Sequence, residues 1–258
     1  MIPYDAITEW ATERPWPTRD QVEQDLLLSR AICEIANHPY LKDELVFRGG
    51  TAFHKLHLDT PLRYSEDLDY VRRTPGGIEP VTNALTDLGQ QLGFNVSTRI
   101  SQQPKVFWRT TAQSGTTLKI KIEITTNERT PALPPLRLPH DVNSRWWNGT
   151  ATVTTFQVEE LVATKIRALY QRRKGRDVFD LWLALERLAL DPTQILEAFE
   201  PYRPDTLTAK SAIANLRQKL THQGFREDLT PLVRDLPSDY DIDQAAERII
   251  AALLASLA

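Results

Sequence analysis

A chain of 258 residues, 41% hydrophobic and 25% charged, has the makeup of a globular protein with room for one large domain or two modest ones. Its formal net charge of −3 excludes binding of nucleic acid through bulk positive charge, so any such partner must be held by a local patch. The single cysteine, Cys33, excludes an internal disulfide and a cysteine-rich zinc centre and fits a reducing compartment.

Taken in order, residues 1–17 hold two tryptophans and three prolines and are expected to form a packed arm. Thr18 and Gln21 have the spacing of a capping box. Val22, Leu26, Ala31, Ile32 and Ile35 then continue at helical spacing to Asn37, with Cys33 as a core residue. Leu45-Val46-Phe47 reads as a buried strand, Gly49-Gly50 as a turn, and Thr51 to Leu58 as a short helix. Leu68 to Val71 alternates with acids and reads as a second strand. A helix is expected over 79–92, and strands over 94–100, 106–111 and 117–125. In the last of these Leu118, Ile120, Ile122 and Ile124 face one way, and Lys119, Lys121 and Glu123 the other. The stretch 131–139, with four prolines, is expected to be irregular, and a short strand follows at 151–154. Beyond Phe156 the pattern is helical throughout, over 158–170, 177–190, 192–200, 205–222 and 241–257. No run approaches the ~20 apolar residues of a membrane span. The N-terminus lacks a basic signal region, so a cytoplasmic location is expected.

The densest chemistry lies between Phe47 and Tyr70. Asp67 and Asp69 are two apart on a predicted strand, so their carboxylates share a face. Glu123 lies on the polar face of its own strand and completes three carboxylates if the strands are neighbours. Such a set suits Mg²⁺ or Mn²⁺, hard cations that prefer oxygen ligands. Gly49, Gly50 and Thr51 precede a helix, where backbone N–H groups can face phosphate. Lys55, one turn along, and Ser65 could add to a triphosphate site. A second constellation runs from Lys165 to Asp180, in which six of the first twelve residues are Lys or Arg and none is acidic. Arg172, Arg173, Lys174 and Arg176 gather at Gly175 and could cradle nucleotide or RNA phosphates. Asp177 or Asp180 could orient a cation or take a proton. His54 and His57 are three apart, without the spacing of a zinc helix motif. The tryptophans read as core anchors, with Trp108, Trp146 and Trp147 as the exceptions that could stack on a base.

These residues fall in ordered blocks. F-R-G-G-T-A-F-H-K begins at Phe47, R-Y-S-E-D-L-D-Y at Arg63, E-E-L-V-A-T-K-I-R-A-L at Glu159 and R-D-V-F-D-L-W at Arg176. In this order they resemble the AbiEii/AbiGii-type toxin nucleotidyltransferases, which include the mycobacterial MenT toxins. The resemblance implies an α+β fold: a polymerase-β-like nucleotidyltransferase core, expected here over 1–154, and a C-terminal helical bundle over 155–258. It implies a Mg²⁺-dependent enzyme of the EC 2.7.7 class that moves a nucleotide, often pyrimidine, from an NTP to the 3′ acceptor end of tRNA and blocks aminoacylation. It also implies a cognate antitoxin as partner. The family's turn falls on Gly49, Gly50 and Thr51, its S-x-D on Ser65 and Asp67 with Asp69 as second acid, its lysine on Lys165 and its R-D aspartate on Asp177. Glu123 as third metal ligand rests on strand geometry alone. Transfer to a protein or small molecule, and a non-catalytic nucleotide-binding module, are the alternative readings.

Overall fold

The computed structural model describes residues 1–257, which divide into two compact units, Met1–Phe156 and Gln157–Ala258. The first unit comprises α1 (Tyr4–Glu13), α2 (Arg19–Asn37), α3 (Leu41–Glu44), β1 (Leu45–Arg48), α4 (Gly49–Leu56), β2 (Asp67–Arg72), α5 (Glu79–Gln91), β3 (Asn95–Arg99), β4 (Lys105–Thr111), β5 (Thr117–Thr125), β6 (Leu136–Asn143) and β7 (Asn148–Thr155). The second is helical: α6 (Val158–Gln171), α7 (Arg176–Glu186), α8 (Pro192–Phe199), α9 (Ala209–Leu220), α10 (Gln223–Arg226) and α11 (Ile242–Ala252), with three short 3₁₀ turns. No helix among the described residues is long and apolar enough to cross a membrane.

The strands form one seven-stranded mixed sheet in the order β3-β4-β5-β2-β1-β7-β6. β2 is antiparallel to β1 and parallel to β5, so the strand that carries Asp67 and Asp69 lies in the middle of the sheet. Alternation decides what each face does. Leu68, Tyr70, Val106, Trp108, Ile120, Ile122 and Ile124 are buried on one face, which α2 and α5 cover. The Trp108 indole N–H donates to the Leu85 carbonyl at 3.0 Å. Gly89 makes room for it, because a Cβ there would lie 2.5 Å from the indole nitrogen. Trp108 is therefore a core anchor rather than a stacking platform. Trp147 packs on Gly149, and Arg30 lies 5.1 Å from the Trp146 ring centroid and 5.5 Å from that of Trp147.

The α2 start is the capping box read from the sequence: the Thr18 hydroxyl accepts from the Gln21 N–H and the Gln21 amide from the Thr18 N–H. The N-terminal arm is itself a helix, α1, pinned by the Trp10 indole donating to Asp25 at 2.9 Å. The proline-rich stretch corrects the expectation of irregular structure: β6 begins at Leu136 and contains Pro139. Pro139 is tolerated because β6 is an edge strand, paired only with β7, and an edge position does not require every N–H.

In the helical unit, Phe179, Trp182 and Tyr240 form an aromatic cluster with ring centroids 4.9–5.8 Å apart. Lys219 donates to the carbonyls of Leu169 and Tyr170 and so satisfies the C-terminal turn of α6. Burial lowers its ammonium pKa to about 8, against the pull of Asp177.

Candidate active site

Strand register assembles the first part of the site. Asp69 pairs with Arg48 across β1–β2 and with Glu123 across β2–β5, and Glu123 pairs with Lys105 across β5–β4. One row of side chains thus reads Arg48, Asp69, Glu123, Lys105 over four adjacent strands. The next row sets Asp67 beside Lys121. Neighbouring strands are about 4.8 Å apart, so all three predicted carboxylates share one small patch on the face that α2 and α5 leave uncovered.

Lysines bridge this patch. Lys121 Nζ lies 2.9 Å from Asp67 and 3.3 Å from Glu123, and Lys105 Nζ is 3.1 Å from Glu123. Burial lowers the Lys121 pKa, but the hydrogen bond to Asp67 and the Asp67, Glu123 and Asp69 charges together raise it. Asp69 has no such lysine partner among the described residues. Burial raises its pKa, the Asp67 and Glu123 charges raise it further, and Arg48 and Lys121 oppose them. Arg48 is held by Glu128 at 2.9 Å and lies 5.4 Å from the Phe156 ring centroid.

The glycine turn meets the acids directly. Gly49 opens α4 with φ +81°, and a Cβ there would lie 2.2 Å from Asp69 Oδ2. Only glycine fits both the left-handed backbone and the carboxylate. Asp69 therefore packs at the helix N-terminus, where a negative charge is favoured. Thr51 is buried in the first turn of α4; its hydroxyl lies 2.8 Å from the Ser65 hydroxyl and donates to the Asp67 carbonyl. The pair fastens the turn to the start of β2 and brings Gly49, Gly50, Thr51, Ser65, Asp67 and Asp69 together.

Lys55 is placed differently from the expectation. Its ammonium binds Asp25 at 2.8 Å and the Ser29 hydroxyl at 2.9 Å, with its side chain only 7% exposed. It ties α4 to α2 and does not extend the phosphate turn, because a buried ammonium takes the nearest carboxylate.

The helical unit holds the second predicted constellation as a closed network of its own. Lys165 Nζ is 2.7 Å from Asp180 and 3.6 Å from Asp177, both carboxylates being wholly buried. Arg172 grips Asp177 in bidentate fashion, at 2.8 and 2.7 Å. Lys174 pairs with Asp228 at 3.2 Å, and the Arg176 backbone N–H donates to the same carboxylate at 3.2 Å. Of the expected basic cradle only Arg173 is exposed with no acid beside it among the described residues; the others are neutralised by acids from further along the chain.

Three polar residues of the site escaped the sequence reading: Arg48, Lys105 and Lys121. Their signal was present in part, since alternation places Lys121 on the face of Glu123, but the β2–β5 and β4–β5 registers that bring them to the carboxylates are long-range facts.

Among the described residues no group of three or more His, Cys, Asp or Glu side chains is arranged to hold a metal. The donor set nevertheless suits a hard divalent cation. It is all oxygen, two of its carboxylates raise the pKa of the third, and lysines now supply the positive charge that such a cluster requires.

Comparison with known proteins bears on this geometry. The family described as "Nucleotidyl transferase AbiEii toxin, Type IV TA system" matches residues 30–248. Among solved structures, MenT4, a nucleotidyltransferase toxin from Mycobacterium tuberculosis H37Rv, superposes with a TM-score of 0.69 over 98% of this chain and 90% of that one, at 16% identity. An antigenic nucleotidyltransferase-like protein from Paracoccidioides brasiliensis gives a TM-score of 0.44 at 18% identity, covering 85% of this chain and 96% of that one. No curated protein matches by sequence. The likeness to MenT4 shows a shared nucleotidyltransferase fold.

Proposed function

The chain belongs to the AbiEii nucleotidyltransferase toxin family, and we propose that it transfers a nucleoside monophosphate from an NTP, a pyrimidine by preference, to the 3′ acceptor end of tRNA in the cytoplasm. Membership implies a nucleotide substrate and a cognate antitoxin; blocked aminoacylation would then be the toxic event. The observation that supports the reading most is the register of β2 and β5, which sets Asp69 beside Glu123 with Asp67 on the same face, next to the Gly49 turn.

Asp67, Asp69 and Glu123 would hold Mg²⁺ or Mn²⁺, which supplies charge stabilisation to the reacting phosphate. The protein's own groups do the rest by position and charge. The N–H groups of Gly50 and Thr51 face the phosphate chain, and the Thr51 and Ser65 hydroxyls fix the turn against β2. Lys121, which lies between Asp67 and Glu123, would supply a counter-charge for phosphate. The acceptor 3′-hydroxyl releases its proton to solvent as its oxygen bonds to the α-phosphorus and the bond to pyrophosphate breaks. The family resemblance implies catalytic roles for Lys165 and Asp177 and substrate binding by Arg172, Arg173 and Arg176; the pairing of Lys165 and Arg172 with buried acids of their own unit favours a positioning role for that network.

The test is direct. Purified protein is incubated with Mg²⁺, bulk tRNA and each labelled NTP in turn. Label is expected in tRNA, chiefly from one NTP, and is expected to vanish with Asp67→Asn. If no NTP labels tRNA, the acceptor is wrong; if label enters a protein band instead, the enzyme modifies protein.

A further inference from the structure

The carboxylate patch continues into a second surface, a basic one, on the same face of the sheet. From Asn95 to Ile122 the chain carries Arg99, Lys105, Arg109, Lys119 and Lys121 and no Asp or Glu, in a protein whose net charge is −3. Alternation and register put all five on the same face as the carboxylates. Arg99 pairs with Lys105, Lys121 with Phe107, and Lys119 with Arg109. Phe107 lies in the middle, flanked by the Arg109 guanidinium 5.1 Å and the Lys119 ammonium 5.9 Å from its ring centroid.

The charges of this face divide by position. Lys105 and Lys121, nearest the acids, are ion-paired with them. Arg99 and Lys119 are exposed, and no acid pairs with Arg99, Arg109 or Lys119 among the described residues. Arg109 donates to the Ser97 hydroxyl at 2.6 Å. Cations left without carboxylates around a half-exposed aromatic ring are a poor match for apolar or basic partners. They match a chain of phosphates carrying flat bases.

We propose that the open face of β3–β4–β5 is the track for the single-stranded 3′ end of the acceptor RNA, with a base stacked on Phe107 and its phosphates on Arg109, Lys119 and Arg99. The track leads along the sheet to the row of Asp69 and Glu123, so a strand bound there presents its terminus to the carboxylates. Double-stranded RNA does not suit it, because a flat aromatic ring reads an unstacked base. The assignment rests on the transferase reading for its direction, but the surface can be tested without transfer.

A 5′-labelled 12-nucleotide single-stranded RNA is titrated with protein in EDTA, and anisotropy is followed from low to moderate salt. Arg109→Ala with Lys119→Ala is expected to weaken binding about tenfold or more and to reduce the slope of log affinity against log salt by about 0.7 per cation removed. Phe107→Ala is expected to cost about 5- to 100-fold, and Phe107→Trp to restore binding, since the stack needs a ring and not a particular one. Arg137→Ala, an exposed charge on β6 at the other end of the sheet, is the control and should bind as wild type. Unchanged melting temperatures establish that the variants fold.

Equal binding by the Arg109/Lys119 and Phe107 variants would overturn the assignment, as would a wild type that binds the RNA no better than a protein without the face. Retained RNA affinity with loss of co-purified antitoxin would reassign the face to a protein partner and also overturn it. If wild type binds RNA through these residues yet labels no tRNA, the transferase reading fails and the track stands. If transfer occurs, the double variant should raise KM for tRNA while KM for NTP stays unchanged.

Discussion

Two clusters of charge in this chain use the same residue types in opposite ways. On the sheet, Asp67, Asp69 and Glu123 crowd together with fewer cations than carboxylates in contact and with their side chains still reached by solvent; Glu123 is 19% exposed and Asp67 36%. In the helical unit, Asp177 and Asp180 are wholly buried, and Lys165 and Arg172 close on them. The first cluster has charge to spare and a place for a ligand to bring more. The second has its charges already matched, as burial demands of it. Chemistry follows unmatched charge that a substrate can reach, while matched and buried charge sets position. Lys165 and Asp177 thus stand in a network whose first consequence is to hold α6 and α7 in fixed register.

The largest effect expected separates the two clusters by what they damage. Asp67→Asn should lower nucleotide transfer at least 1000-fold, about 4 kcal/mol of transition-state stabilisation, with a melting temperature close to wild type. Relief of repulsion among the three acids should offset the lost pair with Lys121. Asp180→Ala should do the reverse in order of cause. It leaves Lys165 buried beside a single, more distant carboxylate, and should cost about 3–4 kcal/mol of stability, read as a shift in the urea midpoint at unchanged slope. Activity should fall only as the folded fraction falls. A stable Asp180→Ala protein with lost transfer would break the contrast and place the helical network in the chemistry.

The contrast also explains what could be read from the residues alone. The Gly49-Gly50-Thr51 turn, the Asp67/Asp69 pair and the strand phase of Glu123 are local facts, written in spacings of two and four. The helical second half was equally legible, because apolar periodicity survives in one dimension. Pro139 misled the reading, since a proline excludes a central strand and not an edge one, and edge position is a property of the whole sheet. Lys55 misled it for another reason: Asp25 lies thirty residues earlier, and nothing in the sequence says that α2 and α4 touch. Lys174 and Arg176 look available for phosphate in the sequence because Asp228, their partner, lies 54 and 52 residues further on. The five cations of β3–β5 were spread over three strands and never formed a run. Their concentration appears only when register stacks them.

A smaller effect probes the covered side of the same sheet unit. His140 is buried with its ring nitrogen facing the Ser29 carbonyl at 3.3 Å, and burial, with Lys55 nearby, lowers its pKa to about 4. Burial likewise lowers His57 to about 4, against a backbone hydrogen bond at Phe156. Both are neutral in the folded state while the unfolded chain takes up a proton near pH 6.5. Their depressed values therefore leave stability intact above about pH 6.5 and erode it as the pH falls towards 4, by about 2–3 kcal/mol for each histidine. Urea midpoints at pH 7.5 and 4.5 should show the loss, and His140→Gln should show a smaller difference between the two pH values. An identical pH dependence in the variant would mean that His140 is not the group that titrates.

The smallest effect takes the pairing geometry of the helical network and removes the burial of its carboxylate. Arg226 binds Asp243 in bidentate fashion at 2.7 and 2.6 Å, distances as short as those between Arg172 and Asp177. Here, however, the acid is 57% exposed, where Asp177 is wholly buried; the two arginines are alike, at 38% and 46%. The mutual hydrogen bonds hold Asp243 below the usual carboxylate range and Arg226 above its own, yet water and salt screen the charges. Asp243 also lies in the first turn of α11, where the helix N-terminus continues to favour its charge after the arginine is gone. Arg226→Ala should therefore cost only about 0.5 kcal/mol, shrinking further in 0.5 M salt, against several kcal/mol for Asp180→Ala in the same helical unit. If the two substitutions cost the same, burial would not be what separates the clusters, and the inference that matched, buried charge serves position would lose its physical basis.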